Sequence, residues 1–477
     1  MRTERRWGKV KCRGNCSVKV VPMKIPSLFN DRQFFRSLFT LAIPIMLQSM
    51  VTALVNFVDT IMIGRLGTVA IAAVGLGNQI FFLLSLLLFG ICSGGVIFSA
   101  QFWGKGDVAG IRKNMGFTLV LALTAALVFS LASALIPEKI LGIYSKDEAV
   151  ILAGTAYLRR LSPSFIPFGI SMVFIFTLRS VEKVRLPIVA TTIALSLNVI
   201  LNYLFIFGAG PIPAMGVKGA AITTVISRLV EASILVSVTY LRKYAPAASF
   251  SELFAFNVHY ARGYFRITLP VIANELLWST GITTQNIIFA RTGTDAIAAF
   301  NITSTVSMLF WTLFMGLGNA AAVLVGKKIG EKDEYKARDY ASRLVRFAPI
   351  AAVGAALILY PASFLLPFIF KVNAQTILIA SQMFIILCCF YPIRAFNLSM
   401  IIGVCRAGGD TVFCMIYDTV LLWFFALPLA AIAAFVMKAP VWVIYLCVCA
   451  EDPLKAILGL WRLKSGKWLH NVTDGLS

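Results

Sequence analysis

LAIPIMLQSMVTALVNFVDTIMIGRLG, residues 41–67, decides the fold. No charge interrupts it between Leu41 and Asp59. A bilayer core needs roughly 20 apolar residues per spanning helix, so the stretch reads as a transmembrane helix. A segment 226 residues later, ITLPVIANELLWSTGITTQNIIFARTG at 267–293, repeats it: Pro44 matches Pro270 and Gly67 matches Gly293. The same register continues without a gap. Ala70-Ile71-Ala72-Ala73 matches Ala296-Ile297-Ala298-Ala299, Gly90 matches Gly316, and Gly104 and Asp107 match Gly330 and Asp333.

Working outward from that pair, apolar runs recur at about 37–64, 72–102, 115–136, 150–179, 186–208, 217–241, 263–291, 297–326, 345–370, 376–404, 412–436 and 441–462. Lipid offers no partner for unpaired backbone groups, so these are helices. The reading is an all-α integral membrane protein with twelve transmembrane helices in two pseudo-symmetric six-helix bundles. Six helices return the chain to the same side, so the bundles share an orientation and a pseudo-two-fold axis along the membrane normal. The expected organisation is a basic cytoplasmic tail (1–36), an N-lobe (37–241), a cytoplasmic linker (242–262), a C-lobe (263–463) and a C-terminal cytoplasmic tail (464–477).

Composition agrees. Of 477 residues, 59% are hydrophobic and 13% charged, where a soluble domain carries about a quarter charged. The net charge of +22 is read as topology rather than as nucleic-acid binding. With both termini inside, 31 of the 43 Lys and Arg fall in cytoplasmic segments, among them Arg179 and Arg406, against seven in outer loops, as the positive-inside rule requires. The first 36 residues hold no long apolar run and are not a secretory signal; residues 1–22 are expected to be dispensable, with a plainer start at Met23. Cys92, Cys388, Cys389, Cys405, Cys414, Cys447 and Cys449 lie in or beside spans as small hydrophobes. Cys12, Cys16, His259 and His470 make a poor zinc set. No phosphate loop, metal-binding His-Glu motif or nucleophile motif is present, so neither an enzyme nor an ATP-driven machine is expected.

The stretch at 41–67, with AQFWGKGD (100–107), LNVILNYLFIFG (197–208), GVKGAAITTVIS (216–227) and CRAGGDT (405–411), resembles the multidrug and toxic compound extrusion (MATE) family of the MOP flippase superfamily, over residues 37–462. The resemblance implies two lobes around a V-shaped cavity. It also implies export of cationic or amphipathic organic compounds by antiport with Na⁺ or H⁺, without a cofactor, from a monomer in the plasma membrane.

Asp59 carries the strongest functional signal. A carboxylate within a spanning helix costs about 2.5–3.5 kcal/mol at the helix centre; a bound cation offsets that cost, which suits a coupling switch, and the resemblance places the family's coupling Asp here. Pro44, in the same helix, lacks an N–H and can bend it. Asn198 and Asn202 share one face of the fifth helix. With Thr224 they match the family's cation-site region and, beside Asp59, make an expected Na⁺ site, although Asn202 stands where some members carry Asp. Glu275 is the further cation-coupling candidate; its first-half equivalent is Ser49, and Gln285 is the equivalent of Asp59. Trp278 and Ala395 stand where some members place second-lobe acids. Arg228 and Glu231 are spaced to pair, and Asp418, Arg394, Glu451 and Asp452 are further boundary charges. A flippase for lipid-linked precursors remains the alternative within transport. A major-facilitator transporter lacks its Gly-Asp-Arg signature here, and an intramembrane enzyme or receptor is the reading of another class.

Overall fold

The computed structural model describes residues 31–208, 213–362 and 372–475. Residues 1–22, with Cys12 and Cys16, lie outside them. The chain is all-helical, with no strand among the described residues. The first lobe contains α1 (Arg32–Gly64), α2 (Thr68–Lys105), α3 (Val108–Leu135), α4 (Glu148–Ser180), α5 (Arg185–Phe207) and α6 (Val217–Leu241). The second contains α7 (Val258–Thr292), α8 (Thr294–Gly330), α9 (Glu334–Ala362), α10 (Ala374–Arg406), α11 (Thr411–Val436) and α12 (Val441–Cys449 and Glu451–Ser465).

Ten of these are long and apolar enough to cross a membrane. The other two fall short for local reasons. The polar residues Asn274, Glu275, Gln285 and Asn286 dilute α7. α12 breaks at Ala450, where Glu451, Asp452 and Pro453 form a new first turn, a position that tolerates proline and favours acids.

The 226-residue repeat is legible in three dimensions. Asp107 accepts from the Gly110 N–H (2.8 Å) and Asp333 from the Lys336 N–H (3.1 Å), capping α3 and α9. Asp31 and Asn257 cap α1 and α7 through Phe34 and Tyr260. Asp147 and Asn373 cap α4 and α10. These caps extend the ungapped register back to residue 31 and forward to residue 373.

The lobes also touch through matched positions. A Cβ on Gly90 of α2 would stand 3.0 Å from Ile272 of α7, and one on Gly316 of α8 would stand 2.6 Å from Met46 of α1; Met46 and Ile272 are themselves one repeat apart. Likewise Gly104 lies against the Lys327 carbonyl and Gly330 against the Gln101 carbonyl. Each lobe therefore offers the other the same surface, as a two-fold axis requires.

The α2–α3 and α8–α9 turns lie at the end where α2 and α8 meet. Two accessory segments cover this end. The linker helix Phe250–Leu253 carries a Ser249–Glu252 capping box and is held to α3 by Arg112, which bonds Glu252 (2.6 Å) and the Ala245 carbonyl (3.1 Å). The C-terminal segment folds back: Trp468 is fully buried, the His470 N–H donates to the Gly408 carbonyl (2.9 Å), and Gln101 bonds Ala407, His470 and Val472.

Candidate functional site

A cavity of about 670 Å³ lies within the first lobe. The resemblance leads one to expect a cleft shared by both lobes, yet among the described residues the second lobe contributes only Met315, Gly316 and Asn319 of α8. Helical spacing explains what lines it. Gln48, Thr52, Asn56 and Asp59 descend one face of α1 at intervals of four, four and three; Thr191, Leu195, Asn198 and Asn202 do the same on α5. α6 adds Thr224, Ser227, Arg228 and Glu231; α2 and α4 add Asn78, Phe81, Phe89, Tyr157, Phe168 and Phe176.

Two polar groups stand in this cavity. At one end Asp59 is half-buried and accepts 2.8 Å from the Asn202 amide, which also donates to Asn198 Oδ1 at 3.2 Å. The Asn202 carbonyl oxygen accepts from the Thr223 hydroxyl. Thr224 lines the cavity, but its hydroxyl donates to the Ala220 carbonyl (2.9 Å). Asp59 thus meets Asn198, Asn202 and Thr224 around one space, with Thr223 as an unforeseen member. Among the described residues Asp59 Oδ2 has no hydrogen-bond partner.

Deeper along α1, Arg179 donates to Gln48 Oε1 (2.7 Å), Gln48 to Thr191 Oγ1 (2.7 Å), and Thr191 to Glu231 Oε1 (2.7 Å). Arg228 closes the chain on Glu231 Oε2 at 2.8 Å, the pairing its spacing implied. Arg179 corrects the sequence reading, which placed it in a cytoplasmic loop. α4 runs through Ser180, and Phe168, Met172, Ile175 and Arg179 form one stripe facing the cavity. Carrying the Phe168, Met172 and Ile175 spacing to the last residue of the 150–179 run would have found it.

Glu275 stands apart. It is not among the cavity-lining residues and bonds Arg406 Nη2 at 2.7 Å. Arg406, read from sequence as a loop cation, is only 4% exposed, because α10 continues as a π-helical stretch over Ser399–Arg406. The boundary charges of this lobe meet one another: Arg394 pairs with Asp452 (2.8 Å), and Lys455 with Asp418 (2.9 Å) and Glu451 (3.1 Å). Pro44 sits inside α1, four residues before Gln48. No cluster of three metal-ligating His, Cys, Asp or Glu occurs among the described residues.

The family model described as MatE matches this chain twice, over residues 44–204 and 270–432, and the two matches begin one repeat apart. The chain belongs to the MatE family. Relatives of this MATE family transporter include a "Probable multidrug resistance protein NorM" from Thermotoga maritima, 26% identical over 442 residues, covering 91% of this chain and 93% of that protein. An "Uncharacterized transporter YisQ" from Bacillus subtilis is 24% identical over 455 residues, covering 92% and 96%. In three dimensions the MATE chain is similar to a mutant of the Vibrio cholerae MATE transporter VcmN (TM-score 0.83, 18% identity, 92% of this chain and 98% of that one). It is similar too to a MOP superfamily transporter from Pyrococcus furiosus (TM-score 0.82, 19% identity, 91% and 97%). These likenesses show the twelve-helix fold.

Proposed function

We propose that this MATE transporter exports cationic or amphipathic organic compounds by antiport against an inward-moving cation, the two lobes rocking to expose the cavity to each side in turn. The observation that carries the reading is Asp59, a carboxylate inside a spanning helix that opens on an aromatic-lined cavity. A proton suits it better than Na⁺. Oδ2 can take a proton with every hydrogen bond kept, whereas a cation would need the Asn202 oxygen now engaged by Thr223 and an Asn202 amide that no longer points its N–H at Asp59. Hard cations demand several oxygen ligands at once. Each unit charge crossing 100 mV releases about 2.3 kcal/mol, enough to bias two facing states.

The tight contact of α2 and α8 supports a state closed at the end carrying their C-termini, which charge placement assigns to the cytoplasm of a plasma-membrane protein. Neither a nucleic acid nor a bound cofactor has a role, the lipid bilayer is the surrounding partner, and the monomer is the working unit. In inverted vesicles, with pH and sodium gradients imposed independently, an organic cation should accumulate with the pH gradient alone. Asp59→Asn should abolish that uptake. Wild-type uptake in Asp59→Asn would remove the proposed coupling site.

A further inference from the structure

The cavity is not acidic. Its lining holds two carboxylates, Asp59 and Glu231, and two guanidiniums, Arg179 and Arg228. Arg228 and Glu231 neutralise each other at 2.8 Å. What remains is Asp59 at one end and Arg179 at the other. Gln48, which holds Arg179, precedes Asp59 by eleven residues on α1, about 16 Å at 1.5 Å rise per residue.

Arg179 has no carboxylate partner among the described residues. One N–H is given to Gln48, while its Nε is buried with no partner. A buried, unmet donor on a charged group is costly, so a half-buried guanidinium left in this condition is a waiting donor site for an anion. It is also held in position. Gln48 is 6% exposed and is fixed in turn by Thr191 and Glu231, and the guanidinium lies over the Phe176 ring, 5.5 Å from its centroid. A planar fork presented beside aromatic walls matches a carboxylate on an aromatic body, which it can bind through two parallel N–H···O bonds.

We propose that Arg179 is a subsite for the carboxylate of an amphipathic aromatic substrate, so that the transporter accepts aromatic zwitterions whose cationic end points toward Asp59. This rests on the export reading above and names a substrate class for it. The distance between the two ends lets the substrate's anion and the coupling acid occupy one cavity without direct repulsion.

The test uses the full chain in lipid nanodiscs and two probes, a rhodamine bearing a free carboxylate and the methyl ester of the same dye, with binding read by fluorescence anisotropy. Charge-assisted hydrogen bonds contribute about 1.5–3 kcal/mol, so the acid should bind roughly tenfold or more tightly than the ester. In Arg179→Gln the acid-to-ester ratio should fall to about one, and in Arg179→Lys part of the preference should return, since the charge remains and the fork is lost. Equal affinity of acid and ester for the wild type would overturn the proposal without reliance on any variant. So would an acid preference that survives in Arg179→Gln. Ester transport driven by a pH gradient is measured separately: its absence refutes the export reading, whereas a missing acid preference alongside intact ester transport refutes only this subsite.

Discussion

Replacing Gly104 by alanine puts a methyl group where the Lys327 carbonyl oxygen of the other lobe now lies, and Gly330→Ala does the same to the Gln101 carbonyl. Ordinary van der Waals contact begins at 3.4 Å, and both contacts fall well inside it. The obstacle is backbone, which cannot swing aside as a flexible side chain can, so α2 and α8 must part. Overpacking of this kind costs about 1–3 kcal/mol. With a backbone obstacle we take the upper figure; the better helix propensity of alanine acts equally in both states and cancels. The closed state should lose about 3 kcal/mol relative to the state in which these ends separate, a shift of roughly 150-fold. Spin labels at the exposed, repeat-related positions Ala109 and Tyr335, on a chain freed of its native cysteines, would report the separation by electron–electron resonance in nanodiscs. Each single variant should populate a longer distance. The double variant should add little, because helices already parted no longer clash. Gly354→Ala, where a Cβ meets nothing within 4 Å, should leave the distribution unchanged. Unaltered distances in both Gly104→Ala and Gly330→Ala would refute the claim that close approach of α2 and α8 holds this end shut.

Other outcomes follow from the charges away from the cavity. Arg406→Leu strands Glu275 without its counter-charge and should destabilise the protein by about 3–5 kcal/mol, whereas replacing both residues by leucine should recover most of that loss. Chemical unfolding in detergent checks it, and a single variant as stable as the wild type would refute the pairing. Glu252 is held below the usual 4.5, first by the Ser249 backbone N–H and then by Arg112. A depressed carboxylate contributes fully above its ordinary value and loses its contribution as pH falls through the lowered one. Hydrogen exchange over residues 245–253, corrected for intrinsic rate, should therefore stay slow at neutral pH and quicken only below pH 4.5; quickening at higher pH would contradict the docking.

Much of the architecture could be read from residues alone, because the repeat is written in residues with few substitutes. Prolines, glycines at close approaches and helix caps keep their spacing when the surrounding apolar residues drift. Gly90 and Gly316 survive where backbones or side chains of the other lobe press against them, and Asp107 and Asp333 survive as caps. The charged residues were less legible. Arg179 and Arg406 both follow long apolar runs, where hydropathy places the end of a span. Both belong instead to the last turn of a continuing helix, held by partners 131 residues away in sequence, Gln48 and Glu275. The family resemblance pointed to Thr224, whereas the hydroxyl that meets Asn202 is that of Thr223; which of two adjacent threonines turns inward depends on the rotation of α6 against α5.

The amino-acid sequence by itself determined the number of helices, their grouping into two like-oriented lobes, and the family. Those properties depend on local apolar length and on a repeated register, both carried along the chain. Only the tertiary structure decided that the cavity belongs to the first lobe, that Asp59 and Arg179 stand at its two ends, and that Glu275 is neutralised elsewhere. Which charges meet is set by how helices rotate and cross, and a single helix's own residues do not fix the face that its neighbours will cover.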